Sequence, residues 1–198
     1  MQKVMTIRRM SGAVAIACLV ALVGSHVAAQ EDKPIREAYQ AQAMGQGTQL
    51  GKNFNVTINI ERYSTQEERQ ILVDAFKQAG SKGLLNALAK MRSKGRIAIT
   101  GTLGYDISFV RKIPIDGGFK IRVLTNRPIR FGEAWVSGRS MDYNLSALEL
   151  NISDEKNKST GILLPACQLK IDKKTGEVVA ENYQNPWKLQ NIIDWSKE

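Results

Sequence analysis

The chain has 198 residues, of which 28 are basic and 19 acidic, so its formal net charge is +9. Its single histidine, His26, and one of its two cysteines, Cys18, lie in the first 29 residues, which leaves no imidazole and one thiol, Cys167, in the rest of the chain. Those counts exclude a Ser-His-Asp triad, a Cys-His pair, a His/Cys zinc site and an internal disulfide beyond that point.

Residues 1–29 predict a cleavable signal peptide. A basic start precedes an unbroken apolar run over 13–23, and small residues ending in Ala29 permit cleavage before Gln30. The apolar run is too short for a transmembrane helix, which needs about 20 apolar residues. We therefore expect an exported protein, periplasmic or secreted, with no transmembrane segment in its mature chain.

Two other export routes are weaker matches to the same segment. Cys18 follows small residues and could accept a lipid, but cleavage there would divide the apolar run in the middle. Arg8-Arg9 could mark twin-arginine export, but the residues flanking the pair match that signal poorly. Both routes would still place the protein outside the cytoplasm.

The mature chain is predicted to hold a flexible linker over 30–53 and a single β-rich domain over 54–198. The linker prediction rests on a Gln-, Ala- and Gly-rich composition without a steady apolar period. The domain begins with a clear alternation, in which Val56, Ile58 and Ile60 share one face. A period of two with β-branched residues predicts a half-buried strand.

A helical hairpin is predicted next, over 65–93. Ser64-Thr65 precedes Glu67-Glu68 at the spacing of a capping box, either Thr65 with Glu68 or Ser64 with Glu67. Apolar residues then repeat at intervals of three and four, and Gly80 is placed to end the first helix. A second helix follows it, so the hairpin is inserted between strands.

Strands and turns fill the rest of the chain. The fold class we predict is α+β, mostly antiparallel β with eight or nine strands in a curled or barrel-like sheet, plus the inserted helical hairpin. A change of phase in one long strand predicts a bulge near Ala147. The candidate strands after the helices are 96–101, 105–115, 119–125, 133–136, 141–152, 161–171, 177–183 and 188–193.

The hairpin over 105–125 carries the first candidate binding residues. With a three-residue loop at 116–118, Lys112 lies directly opposite Arg122 and Lys120 lies diagonal to it. Like charges in register are mildly destabilising, so an anionic partner such as a lipid head group could offset them. The alternative is an ordinary solvated face with a carboxylate nearby in space.

The loop after this hairpin supplies the other candidates. Arg127 and Arg130 could extend the basic patch, and Trp135 could serve as an aromatic anchor on a binding rim. The structural alternative is that Trp135 plugs one end of the sheet while Arg130 pairs with Glu133. Because the burial of tryptophan commonly dominates core energetics, the structural alternative is the favoured interpretation.

Catalysis in the mature chain would have to rely on carboxylates. Asp106, Glu133, Asp142 and Glu149 are the candidate acid/base set, and a glycosidase would need two of them roughly 5–9 Å apart. No metal or cofactor is predicted. Cys167 alternates with apolar residues and is expected to be a buried, inert thiol.

Three stretches carry a resemblance to known sequences. Residues Ser93–Asp106, Thr125–Glu133 and Tyr183–Leu189 resemble segments of small exported bacterial proteins with no assigned function. The resemblance covers most of the mature chain and implies a bacterial envelope location. It implies no activity and assigns no functional residue.

The leading hypothesis is a non-enzymatic exported protein that binds an anionic lipid, another anionic envelope component or an amphipathic ligand. The basic residues are too dispersed to indicate nucleic-acid binding. One alternative is a carboxylate-dependent hydrolase of extracellular glycans. Another is an accessory subunit that docks on a second exported protein.

Overall fold

The protein folds as a mostly antiparallel sheet curled into a half-barrel, with one broken helical segment between its strands. The computed structural model describes residues 35–130, 143–171, 178–182 and 185–197. The predicted signal peptide lies outside the described residues, as do Trp135, Glu133 and Asp142. The predicted fold class is confirmed.

Ten strands and one long helical segment make up the described fold. Two short 3-10 turns, Gly47–Gln49 and Trp195–Lys197, accompany them. The helical segment α1 spans Gln66–Lys90. The strands are β1 Glu37–Met44, β2 Asn53–Ile60, β3 Gly95–Ile99, β4 Tyr105–Asp106, β5 Phe109–Ile115, β6 Gly118–Leu124, β7 Leu145–Ser153, β8 Thr160–Ile171, β9 Val178–Asn182 and β10 Trp187–Asp194.

The curl follows from the connection between the two ends of the sheet. The strand order is β4-β3-β2-β1-β10-β8-β7-β6-β5, with β9 also paired to β8, so β4 and β5 stand at opposite ends although only two residues separate them in sequence. Ile107 donates its N–H to the Gly95 carbonyl, extending the β3 side. The next residue, Ser108, donates to the Leu124 carbonyl of β6. The sheet must therefore curl so that the end of β4 and the start of β5 lie close together.

The inner face of the half-barrel holds the main core. Val56, Ile58 and Ile60 of β2 are fully buried there, which confirms the alternation read from the sequence. Tyr39 and Ala41 of β1 lie in the same cluster. Large side chains from both halves of the sheet fill this interior, so it is a packed core.

The flexible linker predicted over 30–53 is wrong for the part that forms β1. Residues Glu37–Met44 pair with β2 on one side and with β10 on the other, at the centre of the sheet. The strand alternates small or aromatic inward residues with outward glutamines, and alanine is a weak strand former. The buried partners on both sides therefore stabilise a strand that its own composition does not indicate.

The predicted capping box and helix break are confirmed. The Thr65 hydroxyl accepts a hydrogen bond from the Glu68 N–H at 3.2 Å, and Glu68 Oε2 accepts one from the Thr65 N–H at 3.0 Å. The helical dihedral angles are interrupted at Ala79 and Gly80, where Gly80 has φ = 57°. An L-residue with a side chain rarely adopts that angle, so glycine suits the break.

Beyond the break the second arm folds back on the first. A Cβ atom added to Gly83 would collide with the carbonyl oxygen of Ala75, eight residues earlier. In an unbroken helix those positions would be about 12 Å apart along the axis. The segment is therefore a helical hairpin, and its Leu72, Leu84 and Leu88 pack against the outer face of the sheet.

The predicted register of the β5–β6 hairpin is wrong by one residue. Gly118 pairs with Ile115 as the first residue of β6, so the loop contains two residues instead of three. Arg111 is therefore opposite Arg122, and Lys112 is opposite Ile121. Because a one-residue slip moves side chains to the other face, Lys112 lies on the inner face, away from Arg122.

Gly118 explains why the predicted register was wrong by one residue. Gly118 has φ = 150°, and a Cβ there would strike the Ile152 carbonyl of β7. The residue is thus required inside the ladder, where β6 approaches β7, although its type also suits a loop. The predicted bulge near Ala147 is confirmed, since the β7–β8 register shifts between Leu145 and Ala147.

Candidate ligand-binding groove

An apolar groove lies beside the helical hairpin on the outer face of the sheet. Its volume is about 520 Å³, and strands β5 to β9 contribute to its walls. Several of its lining side chains are only partly buried and pack at the margin of the cluster that the helices cover. The apolar side chains that define the groove are Phe109, Leu124, Ala147, Leu164, Leu169 and Ala180.

Two charged side chains also line the groove. Arg122 and Glu149 face each other across the β6–β7 ladder, and Arg122 Nε donates to Glu149 Oε2 at 2.7 Å. Lys120 Nζ contacts the other carboxylate oxygen at 2.8 Å. Burial by itself would raise the pKa of Glu149, but the hydrogen bonds from Lys120 and Arg122 outweigh it, so the pKa is lowered.

More positive charge adjoins this pair than Glu149 can neutralise. Arg111 stands opposite Arg122 in the β5–β6 ladder, and Arg69 of the first helical turn is close enough to act on it. Partial burial and repulsion from Arg69 and Arg122 lower the pKa of the Arg111 guanidinium. Within the described ranges, neither Arg69 nor Arg111 forms an ion pair. We call Arg69, Arg111, Lys120 and Arg122 the basic rim.

The structure divides the predicted site residues among three places. Lys120 and Arg122 belong to the basic rim, and both are paired with Glu149, which is the nearby carboxylate expected for a solvated face. Arg127 lies 5.1 Å from the centre of the Tyr105 ring, and the backbone N–H of Arg130 donates to the Tyr105 hydroxyl at 2.8 Å. Neither of these arginines lines the groove. Trp135 is outside the described residues.

Lys112 joins a polar cluster on the inner face. Its Nζ contacts Glu37 Oε1 at 3.2 Å and lies 4.1 Å from the centre of the Phe119 ring. Glu37 Oε2 also accepts hydrogen bonds from the hydroxyls of Tyr39, at 2.7 Å, and Tyr63, at 2.6 Å. Lys112 thus links β5 to β1 across the half-barrel instead of extending the basic rim.

Sequence reasoning missed Arg69 and Arg111. Arg111 is adjacent to Lys112, so a two-residue loop would have placed it opposite Arg122 instead. Arg69 had no comparable signal, because its proximity to Arg111 depends on how the helical hairpin packs on the sheet. Local pattern cannot supply that long-range placement.

The described candidate carboxylates are both paired with cations. Asp106 Oδ1 accepts from Arg96 at 3.2 Å, and Glu149 is shared by two basic side chains. No cluster of three or more His, Cys, Asp or Glu residues suited to a metal occurs among the described residues. The predicted burial of Cys167 is confirmed, and burial raises the pKa of its thiol to about 12.

Comparison with protein-family models, curated proteins and solved structures found no match to this chain. Within the described part of the chain, no helix is both long and apolar enough to span a membrane.

Proposed function

We propose that this is an exported, non-enzymatic binding protein whose ligand is an amphipathic anion. The apolar part of the ligand would occupy the groove, and its anionic group would lie at the basic rim. The observation that carries the proposal is the contact between these two features, since Arg122 both lines the groove and stands opposite Arg111.

The groove suits a small apolar moiety. Ligand sites commonly have volumes of about 300–1,000 Å³ and are lined mainly by apolar side chains with a few polar groups that fix orientation. The groove, at about 520 Å³, has leucine, alanine and phenylalanine walls with Arg122 and Glu149 as its polar members. An acyl chain or a compact ring system would bury apolar surface there.

The basic rim suits an oxyanion. A guanidinium presents a planar fork of donors that matches carboxylate, phosphate and sulfate groups. Arg111 already carries the electrostatic cost of lying beside Arg69 and Arg122. A bound anion would relieve that repulsion, whereas a neutral head group would not.

We also propose that the protein meets this ligand in the bacterial envelope. The basic start and apolar run of residues 1–29 support export, and the resemblance to small exported bacterial proteins supports an envelope location. Bacterial envelopes contain abundant anionic amphiphiles. The ligand class and the compartment thus fit each other.

The same geometry gives less support to the alternative that the protein is a hydrolase. A glycosidase needs one carboxylic acid that stays protonated near neutral pH, and this requires a raised pKa. The pKa of Glu149 is shifted the other way by Lys120 and Arg122. This favours a recognition role for Glu149, which orients Arg122 at the groove.

The proposal is tested by binding of 1-anilinonaphthalene-8-sulfonate, an aromatic sulfonate, and its displacement by dodecanoate. We expect saturable fluorescence enhancement by the wild-type protein. Arg111→Gln should weaken binding about ten- to a hundredfold, since one charge-assisted hydrogen bond contributes roughly 1.5–3 kcal/mol. Leu164→Gln should have a similar effect because it puts an amide in the apolar wall.

The control for lost charge is Lys158→Gln, since Lys158 is an exposed partner of Glu155 in the turn between β7 and β8. It should bind like the wild type. Thermal unfolding of each variant checks that the fold is retained. Binding that is unaffected by both Arg111→Gln and Leu164→Gln, or wild-type protein that does not bind the sulfonate, would contradict the proposal.

A further inference from the structure

Two neighbouring loops hold leucine side chains out in water. Leu50, in the loop 45–52 between β1 and β2, is 79 % exposed, and Leu103, in the loop 100–104 between β3 and β4, is 89 % exposed. Among the large apolar side chains of the described ranges, these two are the most exposed. A single exposed leucine is ordinary, but two on adjacent loops form a feature that needs an explanation.

The sheet topology places both loops at the same end. Strand β2 pairs with β1 and β3, with Asn53 opposite Met44 at its first residue and Val56 opposite Ile99. The two loops therefore leave the sheet beside the start of β2. The N–H of Thr100 donates to the Asn55 carbonyl at 3.2 Å, which fastens the second loop to that strand. Adjacent strands are about 4.8 Å apart, so the loops are close neighbours.

The first loop is tightly built around its leucine. The N–H of Leu50 donates to the Gly47 carbonyl at 3.1 Å, and that of Lys52 donates to the Gln49 carbonyl at 3.1 Å. Gly45 N–H closes the loop on the Lys52 carbonyl at 2.9 Å. The exposed position of Leu50 is thus fixed by the loop's own hydrogen bonds.

The second loop is built as firmly. Both the N–H and the hydroxyl of Thr102 donate to the Ile99 carbonyl at 2.9 Å. Arg96 Nη1 donates to the Leu103 carbonyl at 3.0 Å, which anchors the backbone while the leucine side chain faces solvent. Each loop holds an apolar side chain in water, where a polar residue would be better solvated.

The charge around the loops is positive. Lys52 follows Leu50 at the end of the first loop, and Lys188 pairs with Met44 in the β1–β10 ladder, both with exposed side chains. No acidic residue occurs between Ala38 and Ile60. Asp106, two residues after the second loop, is paired with Arg96. The described residues around these two loops therefore complement an anionic surface.

We propose that the loops 45–52 and 100–104 insert Leu50 and Leu103 into the head-group region of an anionic lipid bilayer. Apolar side chains at separate loop tips, with lysines behind them, combine hydrophobic insertion with electrostatic attraction. The loops contain no aromatic residue of the kind that is enriched at protein interfaces. The inference is independent of the groove and its ligand.

The test is co-sedimentation with vesicles of phosphatidylcholine mixed with phosphatidylglycerol. The full chain is used as isolated, and variants with the same N-terminus are compared, so that any contribution from residues 1–29 is equal. The double variant Leu50→Ser/Leu103→Ser should partition about tenfold less for each leucine removed. The matched control, Ile71→Ser, removes an apolar side chain that is 55 % exposed on α1 and should partition like the wild type.

A second double variant tests how much the lysines contribute to vesicle binding. Lys52→Gln/Lys188→Gln should lower binding to the mixed vesicles about fivefold per lysine, since each basic residue near an anionic surface contributes roughly 1 kcal/mol. Binding to phosphatidylcholine alone should change little. Thermal unfolding checks that all variants remain folded.

Three results would overturn the inference. The first is a wild-type protein that does not sediment with the mixed vesicles, and the second is a double serine variant that sediments as well as the wild type. The third is a wild-type protein that self-associates through these loops, so that the serine variant changes the mass in solution and not vesicle binding. That last outcome would assign the leucines to a protein interface.

Discussion

At the scale of single residues, Glu37 shows how the interior of the half-barrel tolerates charge. Its carboxylate accepts hydrogen bonds from Tyr39, Tyr63 and Lys112. Burial by itself would raise the pKa of Glu37, but the two tyrosine hydroxyls and the Lys112 ammonium outweigh it, so the pKa is lowered. Burial and the hydrogen bond to the charged Glu37 raise the pKa of both tyrosines, which remain donors throughout the physiological range.

The lowered pKa of Glu37 makes stability depend on pH in a definite direction. The carboxylate stabilises the folded state fully above its ordinary pKa of 4.5, and this contribution is lost as pH falls through the lower folded value. We expect Glu37→Gln to lower the free energy of unfolding at pH 7 by about 1–3 kcal/mol. As the pH falls below about 4.5, the stability of the wild type should approach that of the variant, because protonation of Glu37 removes the same interactions.

Urea unfolding of both proteins from pH 7 to pH 3 measures this difference. Glu155→Gln is the control for lost charge, because Glu155 is an exposed partner of Lys158. Its stability curve should run parallel to that of the wild type. A Glu37→Gln gap that stays constant to pH 3 would show that the carboxylate is not stabilised by its three donors.

At the scale of secondary-structure elements, the sequence specified the local features well. The alternation of β2, the Thr65–Glu68 capping box, the break at Gly80 and the bulge near Ala147 each depend on a few neighbouring residues, and each was predicted. The features it missed depend on distant contacts. Strand β1 is stabilised by both of its neighbours in the sheet, and the β5–β6 register depends on the approach of β6 to β7 at Gly118.

In the candidate site, too, only the residues whose positions depend on local sequence could be predicted. Lys120 and Arg122 could be predicted from the strand pattern, whereas the groove itself is formed by side chains that five different strands bring together. Arg69 comes from the helix and Arg111 from a strand, and only the tertiary fold brings them together. A sequence without aligned relatives carries no direct signal for such a pair.

A helical hairpin and a straight helix predict stability changes of opposite sign when Gly83 is replaced by alanine. In an unbroken, exposed helix, Gly83→Ala would stabilise the protein by about 1 kcal/mol. Here the new methyl group would collide with the Ala75 carbonyl of the other arm, so we expect a loss of about 1–3 kcal/mol. Gln78→Ala, at an exposed helical position, should change stability by less than about 0.5 kcal/mol. Chemical denaturation measures both, and a more stable Gly83→Ala protein would rule out the hairpin.

At the scale of the whole molecule, the half-barrel depends on a strand that looks like a linker. Strand β1 lies between β2 and β10 and so joins the half of the sheet formed by β2–β4 to the half formed by β5–β10. Its Tyr39, Ala41 and Ala43 are fully buried in the main core. The two-residue connection between β4 and β5 then brings the outer edges together.

Truncation tests whether β1 is structural. A chain that begins at Gln30 retains β1 and should show a cooperative unfolding transition and protected amides in β2 and β10. A chain that begins at Gly45 loses the hydrogen-bonding partner of both strands along their length, together with the buried Tyr39. We expect it to be unfolded or to aggregate, because two long edges and a large part of the core become exposed at the centre of the sheet. If the shorter chain unfolds cooperatively with the stability of the longer one, residues 37–44 act as a linker and the central position of β1 in the half-barrel is wrong.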